Sequence, residues 1–318
     1  MIIDCHNHIG IEMLSYLRGE FPYGQQLINL VSEGEALGVT HWIVFPMITN
    51  LSLNIGDLRD AKISTEGALE RVPYAFENRR MLREINELFP KEGKSIIPFA
   101  MFDPLREPEA QVAELRQLRE EYSFAGLKTQ STILQAPIKN LLGSGRVILE
   151  LAEEWDMPVL IHSSVLPADI WAQAKDILDI VEVTPGVRFC VAHSLRFDRE
   201  QLDRLATLPN AWFDCSAHRI HCQLAVDNGP SVAPPERRFP SDYTRPDQVL
   251  RDLAEAYPQK LMWGSDSPYY SFVASIGDVN FSLLSTYAEE VACFKALPDE
   301  LQRLTGETNT LEFLQLKP

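Results

Sequence analysis

Short apolar runs recur along this chain, and a longer stretch with helical periodicity follows most of them. This alternation predicts repeated βα units whose strands pair in parallel. Because the runs are almost entirely apolar, we expect strands that are covered on both faces. Eight such strands are predicted, at Ile2–His8, His41–Pro46, Ile96–Phe102, Phe124–Thr129, Pro158–Ser163, Val187–His193, Ala211–Ser216 and Leu261–Asp266.

The predicted helices lie between these strands, at Thr65–Phe89, Glu107–Tyr122, Arg146–Trp155, Pro167–Val183, Phe197–Leu205 and Asp247–Tyr257. Eight alternations without a break in composition predict an α/β fold, a closed (β/α)8 TIM barrel, with residues 1–318 as one domain. A doubly wound nucleotide-binding fold is the alternative, but neither of its glycine-rich phosphate-binding motifs is present. Two long loops, 48–64 and 227–245, would lie at the C-terminal face of the barrel, as lids or specificity loops.

Charge and cysteine content limit the partners and the compartment. The chain has 29 Lys and Arg against 45 Asp and Glu, a net charge of −16, which repels phosphate backbones and anionic lipids. We therefore expect no nucleic-acid or membrane partner. Five cysteines form no C-x-x-C pair, and the chain shows neither a leader-like segment nor a long apolar run, so we expect reduced thiols in a cytoplasmic protein.

Two histidines, His6 and His8, lie at the end of the first predicted strand. Because strand side chains alternate, residues two apart project to the same side, and both imidazoles can reach one metal ion. The same alternation places Cys5 on the opposite side, as a packed thiol rather than a ligand. Alone, such a pair could equally be two structural, hydrogen-bonded histidines.

Three further polar residues close other predicted strands: His162 the fifth, His193 the sixth and Asp266 the eighth. The carboxyl ends of barrel strands meet at one face, where active sites are built. We therefore expect these side chains to converge with the two histidines of the first strand on a metal site.

The motifs together resemble those of a known family. They are Asp4-Cys-His-Asn-His, an Ile-His, an Ala-His-Ser, Trp-Gly-Ser-Asp-Ser-Pro and Gly306-Glu-Thr-Asn-Thr-Leu-Glu-Phe, in this order along the whole chain. The chain resembles the amidohydrolase superfamily, in the amidohydrolase-related branch that includes aminocarboxymuconate-semialdehyde decarboxylase. The resemblance implies the same barrel, closed by the terminal segment.

The resemblance also implies roles for individual residues. It makes His6, His8 and His162 metal ligands, and Asp266 both a ligand and the proton acceptor from a water. His193 would act beside the metal as acid, base or carbonyl polariser. Three imidazoles and one carboxylate suit one divalent ion, zinc first, with manganese, iron or cobalt as alternatives, and leave a position open for water.

Candidate substrate contacts come from two places. Lys128 closes the fourth strand, where some amidohydrolases carry a carbamylated lysine between two metals; we expect a single metal, with Lys128 beside it or anchoring a substrate carboxylate. His218 and Arg219 follow the seventh strand, either as substrate contacts or on a solvated loop. The other cations considered for a substrate carboxylate are Arg59, Lys62, Arg237 and Arg238.

Three functions remain open from the sequence. The leading one is a metal-dependent hydrolase that acts on the amide, ester or lactone carbonyl of a small, carboxylate-bearing molecule. The second is a non-oxidative decarboxylase of an unsaturated or aromatic acid at the same site. The third is a metal-free binding barrel. A homodimer is expected from the resemblance alone.

Overall fold

The computed structural model describes residues 1–276 and 279–316. Nine strands form one sheet in the order β2-β1-β3-β4-β5-β6-β7-β8-β9. β2 is a short antiparallel addition to β1, and the other neighbours pair in parallel. The strands are β1 Ile3–Ile11, β2 Gly24–Gln25, β3 His41–Pro46, β4 Ile96–Met101, β5 Gly126–Thr129, β6 Val159–Ile161, β7 Phe189–Val191, β8 Ala211–Asp214 and β9 Leu261–Met262.

The sheet closes on itself where the residues after β9 meet β1. The backbone N–H of Cys5 donates to the carbonyl of Trp263 at 3.1 Å, and that of His8 donates to Ser267 at 2.7 Å. With this closure, β1 and β3 to β9 form the parallel barrel predicted from the sequence, and the TIM-barrel type of fold is confirmed.

Helices cover the outside of the barrel and occupy its ends. They are α1 Met13–Arg18, α2 Leu27–Ala36, α3 Ile55–Arg59, α4 Ala75–Arg83, α5 Pro108–Glu121, α6 Ser131–Leu134, α7 Arg146–Glu154, α8 Ala174–Val183, α9 Arg199–Ala206, α10 His218–Val226, α11 Pro246–Ala256, α12 Tyr287–Lys295, α13 Asp299–Arg303 and α14 Asn309–Leu314. Among the described residues, no helix combines the length and apolarity that a membrane crossing needs.

The core has two layers, because strand side chains alternate between the two faces of the barrel wall. In β3, Ile43 and Phe45 belong to the cluster that fills the barrel interior. Trp42 and Val44 belong to the larger cluster between the barrel and its helices. Burial on both faces explains why the strands read as continuous apolar runs in the sequence.

Two predicted helices begin later than the sequence pattern indicated. α4 begins at Ala75 rather than Thr65, because Pro73 interrupts the segment and Tyr74 adopts a left-handed φ of 60°. α8 begins at Ala174 rather than Pro167, because Asp169 accepts hydrogen bonds from the backbone two and three residues further on. Local side-chain hydrogen bonding of this kind competes with a helix.

A β-hairpin after β9 was not predicted from the sequence. Its strands, β10 Phe272–Ile276 and β11 Val279–Leu283, pair antiparallel. Backbone hydrogen bonds in both directions join Phe21 to Val273, which fixes the hairpin against the segment before β2. The alternating apolar and polar residues of Val279–Leu283 are a signal that would have revealed the second strand; Phe272–Ile276 does not alternate.

Candidate metal centre

An irregularity in β1 sets the direction of its histidines. Between Asp4 and Asn7 the register against β3 shifts, so that two residues, Cys5 and His6, lie opposite one residue of the neighbouring strand. Both side chains therefore point into the barrel: Cys5 packs in the interior cluster, and the His6 ring meets Phe45 edge-on at 4.9 Å. Cys5 is a packed thiol, but the expectation that it lies on the opposite side from His6 was wrong, because a bulge breaks simple alternation.

Three side chains at the mouth of the barrel form a compact group with the geometry of a metal site. One ligand atom each from His6, His8 and Asp266 lies within 4.8 Å of the others. The Oδ1 atom of Asp266 is 3.2 Å from Nε2 of His6 and 3.5 Å from Nε2 of His8. That oxygen is buried and has no hydrogen-bond partner among the described residues. A buried carboxylate oxygen facing two imidazole nitrogens fits a divalent cation.

The other ring nitrogens of the two histidines are already engaged. His6 Nδ1 lies 2.9 Å from Oδ2 of Asp214, and His8 Nδ1 lies 3.0 Å from the Pro46 carbonyl. Burial lowers the pKa of His8 to about 4, which keeps it neutral. Burial raises the pKa of Asp214, but its interactions with His6 and Ser216 outweigh this effect and hold the pKa well below the usual range. This arrangement directs both Nε2 atoms toward Asp266, where a metal would bind.

His162 and His193 form a hydrogen-bonded chain beside this group. His162 Nδ1 lies 2.9 Å from His193 Nε2, and His193 Nδ1 lies 3.2 Å from the Ser216 carbonyl. The remaining nitrogen of His162 accepts from Arg196 at 3.2 Å. Burial lowers the pKa of both histidines well below the usual value, so they are neutral. His162 thus lies at the same cavity without joining the three-residue group, and its role as a ligand stays a prediction.

The group of His6, His8 and Asp266, called the metal group below, lies at the bottom of a cavity of about 290 Å³. Polar side chains from the strand ends line its floor, and apolar side chains line its upper wall. The apolar wall comes from α6, α10, two loops and the hairpin, with Ile48, Ile133, Leu166, Ile220, Leu224, Phe272, Phe281 and Leu283. A concave, largely apolar pocket over a few convergent polar groups is typical of a small-molecule site.

A family model described as Amidohydrolase matches residues 3–316. The chain belongs to the amidohydrolase family. As an amidohydrolase, it is an enzyme of the metal-dependent hydrolase type, as the sequence motifs predicted. No curated protein sequence matches it.

Solved structures show the same fold at low sequence identity. A COG3618 amidohydrolase from Burkholderia multivorans with bound zinc is 15% identical, with 100% of both chains covered and a TM-score of 0.62. A probable 2-pyrone-4,6-dicarboxylic acid hydrolase from Acinetobacter baumannii with citric acid bound is 16% identical, with 99% of both chains covered and a TM-score of 0.60. The IDCase of Metarhizium anisopliae is 12% identical over 100% of this chain and 98% of its own, with a TM-score of 0.55.

Lys128 of this amidohydrolase lies directly beside the metal group. Its side chain is fully buried, with Nζ 3.5 Å from His6 Nε2 and 5.0 Å from the centre of the Phe45 ring. Burial lowers the pKa of the ammonium group to about 8. The position is the one predicted from the end of the fourth barrel strand, and it brings the amine to His6 rather than to solvent.

The structure does not bring His218 and Arg219 to the cavity. They begin α10, where His218 Nε2 lies 2.8 Å from the Pro246 carbonyl and Arg219 pairs with Glu289 at 3.2 Å. The helical twist turns Arg219 outward and turns His221, which also lines the cavity, inward. His218 and Arg219 therefore lie on a helix rather than on a loop, and neither lines this cavity.

The other cations considered for a substrate carboxylate also lie elsewhere. Arg59 pairs with its neighbour Asp60 at 3.0 Å, and Arg237 pairs with Asp198 at 2.7 Å. Arg238 donates to the backbone carbonyl of Ala233 at 2.8 Å. Lys62 is exposed and is not among the cavity residues.

Two acidic residues and one arginine of the site were missed by sequence reasoning. Asp214 ends a strand just as His162 does, and the same signal, a polar residue after an apolar run, could have revealed it. Glu12 lies in the cavity wall, where it accepts from Tyr269 at 3.1 Å; burial raises its pKa to about 7. Arg196 carries no sequence signal, because a turn decides its direction.

Proposed function

We propose that this amidohydrolase hydrolyses the amide, ester or lactone bond of a small, carboxylate-bearing molecule with the help of one divalent metal ion. The observation that carries the proposal is the unpartnered, buried Oδ1 of Asp266, which faces the free nitrogens of His6 and His8. A carboxylate left without a hydrogen bond in the interior is costly unless a cation is bound there.

His6, His8 and Asp266 would hold the ion. His162 is proposed as a fourth ligand because it lies neutral in the same cavity, and to bind the ion it would give up its contact with either His193 or Arg196. Nitrogen and oxygen donors of this kind suit zinc, and also manganese, iron or cobalt. When bound, such an ion lowers the pKa of a water to near neutrality and polarises a carbonyl. The fold-sharing protein from Burkholderia multivorans carries zinc.

The protein's own groups provide the proton transfers. The carboxylate of Asp266 can orient a water and accept its proton. His193 lies next to this carboxylate, with Nδ1 3.8 Å from Oδ2, and burial lowers its pKa so that the imidazole is neutral. We propose that Asp266 passes the proton taken from the water to the leaving group, with the neutral His193 beside it.

The cavity determines the size of the substrate. At about 290 Å³ it accommodates a small molecule, and its apolar wall would exclude bulk water from the reacting carbonyl. The structure from Acinetobacter baumannii holds citric acid, a tricarboxylate, which is consistent with a carboxylate-bearing ligand.

A decarboxylase is the second candidate, because the IDCase of Metarhizium anisopliae, which is a decarboxylase, has the same fold. The same residues would then hold an acid whose carboxylate leaves as carbon dioxide. Both reactions need the metal. The hypothesis of a metal-free binding barrel is therefore tested first, and hydrolysis and decarboxylation are distinguished afterwards.

The first experiment is elemental analysis of the protein, purified without a chelating tag. About one equivalent of zinc, manganese, iron or cobalt per chain supports the proposal; about two would point to a carbamylated Lys128 and a binuclear site. No metal after reconstitution with each ion would overturn it. A screen of lactones, amides and unsaturated acids, with carbon dioxide measured in parallel, then distinguishes hydrolysis from decarboxylation.

A further inference from the structure

Two arginines, Arg18 and Arg196, line the cavity without an anionic partner among the described residues. Arg18 is exposed and donates to the backbone carbonyls of Leu58 and Arg59, whereas Arg196 contacts His162 of the candidate site. Arg196 lines the same cavity as the metal group and is partly accessible from it. Among the described residues, no carboxylate lies within salt-bridge distance of its guanidinium group. The partly buried Arg106, Arg188 and Arg204 each pair with an aspartate at 2.5 to 2.7 Å.

The contacts of Arg196 are all to uncharged acceptors. Nε donates to the Ser163 carbonyl at 2.9 Å, one terminal nitrogen contacts His162 Nε2 at 3.2 Å, and the other contacts His221 Nε2. An imidazole is either neutral or cationic, so these two contacts orient the guanidinium group without cancelling its charge. A guanidinium has five N–H donors, and three contacts leave two of them available.

The backbone that carries Arg196 is unusual. The five residues of His193–Phe197 all have left-handed φ values, between 46° and 64°, a conformation that L residues rarely adopt in succession. The loop 227–245 holds this turn, since Ala233 N donates to the Arg196 carbonyl at 2.9 Å and Phe239 N donates to the Phe197 carbonyl at 2.8 Å. This loop therefore braces the turn that directs Arg196 into the cavity, and strained backbone of this kind is characteristic of functional sites.

We propose that Arg196 is the residue that binds the substrate's carboxylate, and so selects anionic over neutral substrates. A planar guanidinium with two free donors matches a carboxylate, which would also supply the missing counter-charge. This inference rests on the proposed function, because it names the group that such a substrate must carry. It replaces the loop cations Arg59, Lys62, Arg219, Arg237 and Arg238 considered from the sequence.

The test measures binding rather than turnover, so it does not depend on finding the substrate. The probes are malonate, succinate and glutarate, each compared with its uncharged diamide at constant ionic strength. Binding is measured by calorimetry on zinc-loaded and on chelator-treated protein. The variants are Arg196→Met, Arg196→Lys and the control Arg219→Met, which removes an arginine outside the cavity.

We expect at least one dicarboxylate to bind more tightly than its diamide. Arg196→Met should weaken this binding roughly ten-fold to a hundred-fold, Arg196→Lys should weaken it less, and Arg219→Met should leave it unchanged. Zinc content should be the same in all variants. Should Arg196→Met fail to fold by circular dichroism, Arg196→Lys carries the test, with several-fold weaker binding expected because a point charge replaces a planar fork.

Three results would overturn the inference: no preference for dicarboxylates in the wild type, wild-type affinity in the Arg196 variant that folds, or binding that chelation abolishes but Arg196→Met does not. The last result would assign the anion to the metal. A protein that never takes up metal, yet binds dicarboxylates through Arg196, would refute the proposed function and leave this inference standing.

Discussion

The Nδ1 atom of His6 lies 2.9 Å from Oδ2 of Asp214, and both side chains are buried. Asp214 also accepts a hydrogen bond from the backbone N–H of His193 at 3.0 Å. Asp214 therefore orients the imidazole of His6, a proposed ligand. It also holds the backbone of His193, which the family resemblance implies to be an acid, base or carbonyl polariser. This contact fixes the tautomer of His6 that leaves Nε2 free for a metal.

Removing the charge of Asp214 should weaken the metal site. We expect Asp214→Asn to reduce zinc affinity roughly ten-fold to a hundred-fold, because the ring of His6 loses its anionic partner. Competition with a chromogenic chelator measures the change, and Asp247→Asn, at a half-buried position in the first turn of α11 outside the site, is the matched control. Unchanged affinity in Asp214→Asn would contradict the orienting role.

Single histidine variants test the ligand set. His8→Ala should abolish stable metal binding, since it removes one of three converging ligands. His162→Ala should lower affinity by at least about ten-fold if His162 is a fourth ligand. His41→Ala, at the opposite end of the barrel, should keep full metal content. Wild-type affinity in His162→Ala would restrict the ligands to His6, His8 and Asp266.

Asp266→Asn separates metal binding from proton transfer. The amide keeps an oxygen toward the histidines but cannot accept a proton from water. We expect a folded protein with reduced metal content and with kcat about 10²-fold to 10⁴-fold lower on the substrate found by screening. Turnover close to that of the wild type would refute the assigned role.

Glu290 makes stability depend on pH at a position outside the cavity. Burial raises its pKa from 4.5 to about 8, so folding favours the protonated form. Its contribution to stability is fully present below about pH 4.5 and is lost as pH rises through about 8. Glu290→Gln should therefore be more stable than the wild type at pH 9, by on the order of 3 kcal/mol, and show no gain at pH 4.5.

Urea unfolding at pH 4.5, 7 and 9 measures this difference. The glutamine keeps an oxygen that can accept from the backbone N–H of Arg219, as Glu290 does at 3.2 Å. Glu255→Gln, on the exposed side of α11, is the control and should show no pH-dependent gain. Equal stability of Glu290→Gln and wild type at pH 9 would show that burial does not destabilise the charged carboxylate.

Gly264 leaves no room for a side chain behind His6, a proposed metal ligand. A Cβ atom there would lie 2.9 Å from His6 Cβ and 3.1 Å from Cys5 Sγ. We expect Gly264→Ala to cost about 1–3 kcal/mol of stability and to displace His6, so that zinc affinity falls as well. Denaturation and chelator competition on the same preparation test both effects. A variant with unchanged stability and unchanged zinc affinity would show that β1 can shift to accommodate the added methyl group.

The sequence determined the barrel and the kinds of residue at its mouth. Parallel strands covered on both faces must be apolar throughout, and polar residues at their carboxyl ends therefore stand out, as His162, His193 and Asp266 do. Three of the family motifs contain these same residues. These signals are local, so they can be read along the chain without knowing which strands become neighbours.

Only the tertiary structure decided which side chains meet. The bulge in β1 turns Cys5 and His6 to the same side, and the left-handed turn after β7 directs Arg196 into the cavity. The turn of α10 excludes Arg219 from the cavity and admits His221. Each outcome depends on backbone geometry that distant segments impose, such as loop 227–245 on the Arg196 turn, and a local sequence pattern contains no record of those contacts.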